Sequence, residues 1–388
     1  MPRNAYPGFA LVRGLEFRFV QLLMFVQLWY LAWRRYRRFG AATRALRQLL
    51  THGDHVLAGN KLSKGFRLGR KYGWDMFHPL WPSSAFNRFF ERHYAELDPN
   101  DQSWPLRRLL IALTKRCPLQ CAHCSEWDTL NQPDQLTREE LQAKIQGMVD
   151  RGVSQLVYSG GEPLSRWSDL LFLLNEFRGQ SQWIYSSGYG LTLSKARKLK
   201  AAGLEGIALS LDHHVPDWHN AFRGNEHSYH WVKQAVAHAQ EVGLLVSVNV
   251  CPTREYLATQ PMEAFMDLMQ QWQVATVNVL EPRAVGHFAG QDVNLGEEEK
   301  HYLKELFFRY NFDPAYRDYP SLTYPGLTRA HLPCGGGRSY LLLDYDGTLR
   351  PCPFCKKPLS LAEPVAERCE APDQRVKASS AGVILQSD

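Results

Sequence analysis

The sequence predicts an α/β protein: a partial (βα)6 barrel, preceded by a helical N-terminal extension and followed by a small C-terminal β-hairpin domain. Three observations predict it. From about residue 106, strand-like and helix-like segments alternate, which implies parallel strands with right-handed crossovers. The first fifty residues carry nine arginines and a single acid, Glu16, around a long apolar run. The cysteines are clustered, three between 117 and 124 and four between 334 and 369, which in a long chain points to metal rather than to disulfides.

The 388 residues are 45% hydrophobic and 22% charged, the composition of a folded globular protein. No segment repeats at a fixed period, which sets aside solenoids and propellers. Nine arginines against one glutamate give the first fifty residues a charge of +8. The whole chain carries +6, so the remaining 338 residues carry −2. The main body therefore lacks the basic stripe of a nucleic-acid binder.

From Phe17 to Trp33 only Arg18, Gln21 and Gln27 are polar, and neither Pro nor Gly interrupts the run. It predicts a helix, and Arg34, Arg35, Arg37 and Arg38 follow at once. The run is short of the roughly 20 apolar residues of a clean span. It also lacks the cleavage site of a signal peptide. Two placements stay open: in the cytoplasmic leaflet with the arginines on anionic headgroups, or packed on the body of the protein. Residues 51–104 are rich in aromatics, and Trp74–Ser84, with His78-Pro79 and Trp81-Pro82, predicts irregular structure. The aromatics read first as packing and second as a substrate-facing cap.

In the barrel, strands are predicted at Leu109–Thr114, Gln155–Ser159, Trp183–Ser187, Gly206–Leu211, Leu245–Val250 and Ala275–Leu280. Helices are predicted at Arg138–Arg151, Trp167–Arg178, Ser194–Ala202, Tyr229–Val242 and Met262–Trp272. Thr137 and Glu140 form a capping box for the first helix. The first strand runs into Cys117, Cys121 and Cys124, a C-x3-C-x2-C spacing at the end where parallel folds place their chemistry. Three thiolates on one tight loop can hold three irons of a [4Fe–4S] cube and leave the fourth iron open. Zinc would need a fourth ligand. His123, the only candidate, lies between two ligands and is expected to point away. The second strand ends in Gly160-Gly161-Glu162-Pro163. Glycines there allow a ligand close to the backbone, and Glu162 could receive a cationic amine; the alternative is an ordinary strand-to-helix turn.

Together the two motifs resemble those of the radical S-adenosylmethionine (radical SAM) superfamily, C-x3-C-x-φ-C with His123 as φ, and GGEP at 160–163. The resemblance implies that Cys117, Cys121 and Cys124 hold a [4Fe–4S] cluster whose open iron takes the amine and carboxylate of SAM. It implies that Gly160, Gly161, Glu162 and Pro163 form the loop that meets the methionine amine. Tyr185-Ser186-Ser187-Gly188 stands where the family often has Thr-Asn-Gly, so Ser187 is a candidate contact. Ser210 would reach the ribose or carboxylate. Arg223, in Phe222-Arg223-Gly224, would bind the carboxylate or sit in a surface salt bridge. Asn249 and Glu281, after the fifth and sixth strands, would face the site or cap a loop.

Near the C-terminus, Tyr340–Leu343 and Thr348–Arg350 predict a hairpin through Asp346-Gly347, which brings Cys334 beside Cys352. With Cys355 and Cys369, four thiols could hold a second [4Fe–4S] cluster or a zinc. The pattern C-x12-G-x4-C resembles the opening of SPASM and twitch auxiliary-cluster domains. A full SPASM domain has seven cysteines, so four imply at most one auxiliary cluster. Cys251 has no partner in sequence and reads as a small buried hydrophobe. The expected parts are residues 1–104 as the extension, 105–290 as the barrel, 291–370 as the auxiliary-cluster domain and 371–388 as a disordered tail.

The resemblance implies reductive cleavage of SAM to methionine and a 5′-deoxyadenosyl radical, with flavodoxin or ferredoxin as electron donor, and hydrogen abstraction from a substrate C–H. A peptide that is oxidised or cross-linked is the first substrate class. A lipid or lipid-linked small molecule is the second, suited to the N-terminal helix. A non-catalytic iron–sulfur or zinc protein is the third, and the intact 160–163 loop speaks against it. Cluster thiols need a reducing compartment, so the cytoplasm is expected, and the first of the two placements above would put residues 17–38 at the inner face of the membrane.

Overall fold

The computed structural model describes residues 7–57, 63–98, 100–101, 103–259, 261–331 and 334–359. Cys369 and the tail 371–388 lie outside them. The extension comprises β1 (Phe9–Arg13), α1 (Gly14–Tyr36), α2 (Phe39–Leu57), β2 (Lys64–Leu68), β3 (Lys71–Gly73) and α3 (Ser84–Leu97). The barrel follows as β4 (Arg108–Thr114), α4 (Arg138–Asp150), β5 (Gln155–Gly160), α5 (Trp167–Glu176), β6 (Ser181–Ser186) and α6 (Leu193–Ala201). It continues through β7 (Gly206–Ser210), α7 (Pro216–Arg223), α8 (Ser228–Glu241), β8 (Leu245–Val250), α9 (Arg254–Thr259), α10 (Met262–Gln271) and β9 (Thr276–Val279). Last come α11 (Glu297–Phe312), β10 (Ser321–Thr323), α12 (Pro325–His331), β11 (Tyr340–Leu343) and β12 (Leu349–Arg350).

The six expected strands are β4 to β9, parallel neighbours in one sheet, and each expected helix starts within a residue of its expected position. The capping box forms: Thr137 Oγ1 accepts the Glu140 N–H, and Glu140 Oε2 accepts the Thr137 N–H. The sheet goes on past both edges, in the order β10-β9-β8-β7-β6-β5-β4-β11-β12. β10 lies parallel to β9, and β11 lies parallel to β4, with Tyr340 opposite Arg108 and Leu343 opposite Ile111. The expected boundary at 290 therefore falls inside the sheet. α11 and β10 extend it at one edge, and the C-terminal hairpin extends it at the other. At three residues β10 is too short to announce itself in sequence.

One face of the strands packs under the helices, through Leu109, Ile111, Leu156, Tyr158, Ile184 and Val246 among others. On the other face Phe9, Phe66, Met76 and Leu80 pack against Val157, Trp183, Ala208, Leu245 and Ala275. These strand residues lie toward the amino ends, so the extension plugs that end. The aromatic stretch is packing, and the cap reading fails because this plug lies at the end away from the cysteine loop. Trp74 to Ser83 holds no helix or strand beyond a single bridge between Tyr72 and Trp81.

α1 is longer than expected, and its two sides differ. Val20, Met24, Leu28, Leu31 and Ala32 pack against Ala42, Ala45 and Leu49 of α2 and Phe86, Phe89, Phe90 and Tyr94 of α3. The opposite side, with Leu15, Phe19, Leu22 and Val26, is exposed. Leu28→Ala should cost about 2–5 kcal/mol in denaturant unfolding. Leu22→Ala should stay within about 0.5 kcal/mol; equal effects would mean that α1 is not docked.

Candidate active site

The loop that leaves β4 is held from three sides. The Cys117 N–H donates to Asn131 Oδ1 at 2.8 Å. The Gln120 and Ala122 N–H groups donate to the Arg223 and Phe222 carbonyls at the end of α7. His287 donates through Nδ1 to the Cys121 carbonyl (3.0 Å) and through its backbone N–H to that of Cys124 (2.9 Å). Its ring stacks on Trp127 at 3.8 Å. Cys117, Cys121 and Cys124 are free thiols. Burial pushes Cys117 up to about 12 and Cys124 up to about 11. The charges of Cys121, Cys124 and Glu162 raise Cys117 further, so all four groups share one neighbourhood. A metal binding here would displace thiol protons.

Soft thiolates suit iron–sulfur chemistry. Among the described residues, no three His, Cys, Asp or Glu side chains stand close enough to ligate a single ion. The His123 ring stacks on Phe222 at 4.8 Å, and its buried Nδ1 has no partner.

Gly160 and Gly161 have a packing reason to be small. Gly160 has φ +127°, and a Cβ there would strike the Thr114 carbonyl. A Cβ on Gly161 would strike the Arg116 carbonyl and come within 2.7 Å of that of Lys115. The two glycines thus let the second loop lie against the start of the cysteine loop. The Gly161 N–H donates to the Thr114 carbonyl and the Glu162 N–H to the Arg116 carbonyl, both at 2.7 Å.

Glu162 is fully buried, and both of its oxygens are engaged. Oε1 accepts the Leu164 N–H (3.1 Å) and the Ser186 hydroxyl (2.9 Å). Oε2 accepts the Ser187 N–H (2.8 Å) and hydroxyl (2.6 Å). Burial raises its pKa, and these donors work against that rise. Four bonds fill the carboxylate's acceptor capacity, so an incoming amine requires a serine hydroxyl to turn away. Pro163 opens the following 3-10 turn, capped by Glu162.

Arg223 is not at the surface. Its Nε donates to Asp212 Oδ2 at 2.5 Å, and Nη1 lies 3.6 Å from Cys121 Sγ. Burial opposes its charge, but Asp212 and Cys121 hold its pKa above the usual value. Asp212 Oδ1 accepts the Cys251 N–H at 3.0 Å. Ser210 ends β7, half-buried and in register with Asn249. The Asn249 Oδ1 accepts from Asn278 Nδ2 at 2.7 Å in a buried polar ladder with Ser247 and Thr323. Glu281 caps a loop, accepting from Tyr324, Arg283 and Arg329. A cavity of about 340 Å³ opens beside the cysteine loop, lined by Ala122, Asp212, His213, Phe222, Cys251 and Tyr256 among others. Cys251 is buried, as expected, but at this cavity.

The C-terminal hairpin brings Cys334, Cys352 and Cys355 together. Cys352 pairs with Cys355 in a short antiparallel bridge, and the charges of Cys334 and Cys355 both raise the Cys352 pKa, already raised by burial. The group is tied to the first by Lys115, which the sequence reading passed over. Fully buried, Lys115 pairs with Glu126 beyond the cysteine loop and with Asp344 after β11, the latter at 2.8 Å. Burial works against its charge, yet these carboxylates raise its pKa. Asp344 also takes Arg350 at 2.7 Å, and Glu126 takes Lys356 at 3.2 Å.

Residues 111–268 match the Radical SAM superfamily. The PqqA peptide cyclase of Streptomyces rochei is 34% identical over 146 residues, 37% of this chain and 39% of that protein. The match thus spans about two fifths of the curated relative. SuiB of Streptococcus suis, solved bound to precursor peptide SuiA, is similar over 84% of this chain and 76% of its own, at 16% identity and TM-score 0.55. anSMEcpe with bound AdoMet and the Cp18Cys peptide is similar over 65% of this chain and 75% of its own, at 17% identity and TM-score 0.51. Both structural likenesses concern the fold.

Gly161→Ala forces the two loops apart, so iron bound after anaerobic reconstitution should fall several-fold while far-ultraviolet circular dichroism stays unchanged. Lys115→Met takes away the buried cation between Glu126 and Asp344, leaving them Lys356 and Arg350, and should cost about 1.5–3 kcal/mol in denaturant unfolding.

Proposed function

We propose, for a chain whose residues 111–268 belong to the radical SAM superfamily, that it cleaves SAM reductively and uses the radical to oxidise or cross-link a peptide. The observation that carries this reading is the joining of the two motifs. The loop bearing Cys117, Cys121 and Cys124 and the loop bearing Glu162 share backbone hydrogen bonds at the carboxyl end of the sheet. An electron-transfer protein needs no such second loop.

A reduced [4Fe–4S] cluster, when bound, supplies the electron that breaks SAM into methionine and a 5′-deoxyadenosyl radical. Cys117, Cys121 and Cys124 would hold it, and Arg223 would place a fixed positive charge against Cys121. Ser186 and Ser187, now bonded to Glu162, would release part of the carboxylate to the methionine amine. Ser210 would serve the ribose or carboxylate. Asn249 sits in its ladder and would help only by shaping the strand end. Cys334, Cys352 and Cys355, with Cys369, would hold an auxiliary [4Fe–4S] cluster of the twitch kind. The electron donor would be a flavodoxin or a ferredoxin, and the compartment the cytoplasm, where thiols stay reduced.

A peptide is preferred as substrate because a peptide cyclase and two peptide-bound structures are among the similar proteins. A lipid substrate has the exposed side of α1 in its favour, but location alone accounts for that side equally well. Cys121→Ala, reconstituted anaerobically and given dithionite, should form less than about 1% of the 5′-deoxyadenosine made by the unaltered protein. Normal formation would overturn the cluster assignment. A mass change in a co-expressed candidate peptide, set against a change in extracted lipid, separates the two substrate classes.

A further inference from the structure

The exposed side of α1 is a continuous apolar line. Leu15 (85% exposed), Phe19 (62%), Leu22 (57%), Leu23, Val26 (58%) and Tyr30 (46%) fall at i, i+4, i+7, i+8, i+11 and i+15, which is one face of a helix. The opposite line, Phe17, Val20, Met24, Leu28 and Leu31, is buried. α1 is therefore apolar on two sides for two reasons, and its 23 residues, roughly 35 Å long, lie against α2 and α3 over their length. A helix held in this way cannot also cross a bilayer without giving up its packed side.

The open line is rimmed by cations. Arg18 is exposed beside Phe19, and Arg34 continues the line four residues past Tyr30. Arg37 and Arg38 follow, and Arg44 and Arg47 lie on the exposed side of α2. Arg34 reaches Glu91 only at 3.8 Å, while Arg18, Arg37, Arg38, Arg44 and Arg47 make no ion pair among the described residues. A second copy of this chain is a poor occupant: in a two-fold pairing, arginines would face arginines, with Glu16 as the nearby acid. An anionic lipid surface fits both features, since acyl chains take the apolar line and headgroups take the cations.

We propose that α1 docks in the plane of an anionic phospholipid bilayer, sinking its Leu15–Tyr30 line while it remains packed on α2 and α3. The grounds are α1 and α2 alone, so the proposal stands apart from the catalytic reading. The full chain should sediment with phosphatidylcholine vesicles containing 30% phosphatidylglycerol, and on the order of tenfold less with pure phosphatidylcholine or in 0.5 M salt. Phe19→Gln, Leu22→Gln and Val26→Gln combined should abolish sedimentation at either salt. Arg34→Gln, Arg37→Gln and Arg38→Gln combined should remove only the preference for phosphatidylglycerol. Because all these side chains are exposed, unfolding midpoints and 5′-deoxyadenosine formation in solution should stay as in the unaltered protein. Unaltered chain left in the supernatant with both vesicles would overturn the proposal. So would a dimer in sizing runs that the apolar triple variant dissolves without any vesicle binding.

Discussion

The loop leaving β4 and the loop leaving β5 touch through bare backbone. Gly161 and Glu162 donate to the carbonyls of Thr114 and Arg116, and there is no room for a Cβ at either glycine. This contact sets where three thiols stand relative to a buried carboxylate. Neither loop could keep its course if the other moved. The Glu162 side chain then reaches the end of β6 through Ser186 and Ser187. Three successive strand ends are thereby joined by groups that a side-chain contact alone would hold less firmly.

Charge is arranged around that contact in closed sets. Lys115 sits between Glu126 and Asp344, and Arg223 sits between Asp212 and the Cys121 thiol. Each cation is buried and each has a carboxylate, as burial of charge demands. Lys115 spans from the first cysteine group to the hairpin carrying the second. A positive group thus stands against the Cys121 thiol on the side of α7, in surroundings where its field is weakly screened.

Much of this was legible in sequence, for identifiable reasons. β4 to β9 and their helices have regular apolar periodicity, and the capping box at Thr137 names its own boundary. The Cys117–Cys124 and Gly160–Pro163 motifs are local, so spacing alone exposed them. What escaped depends on partners far along the chain. β11 pairs with β4 across more than two hundred residues, and no local pattern shows it. Lys115 looks like a surface lysine until Glu126 and Asp344 close around it. Asn249 was marked by its place at a strand end, but the bond its Oδ1 accepts from Asn278, one strand over, could not be seen in sequence. That the two glycines also make room for the Thr114 and Arg116 carbonyls was hidden, because sequence cannot tell which backbone comes near. α1 was ambiguous between membrane and core because it is apolar all round, and only the packing shows which side is docked on α2 and α3.

The position of β11 bears on what the chain can lose. It covers the flank of β4 from Arg108 to Ile111. Were everything after the barrel helices cut away, β4 would become a bare margin with unmet amide and carbonyl groups, the kind of edge that recruits foreign strands. The strand that launches Cys117 would then hang from the rim of the sheet instead of its interior. The cysteine-bearing hairpin is in this sense a wall of the barrel rather than a module bolted to it, and its removal would unsettle the first cysteine group before it deprived the protein of the second.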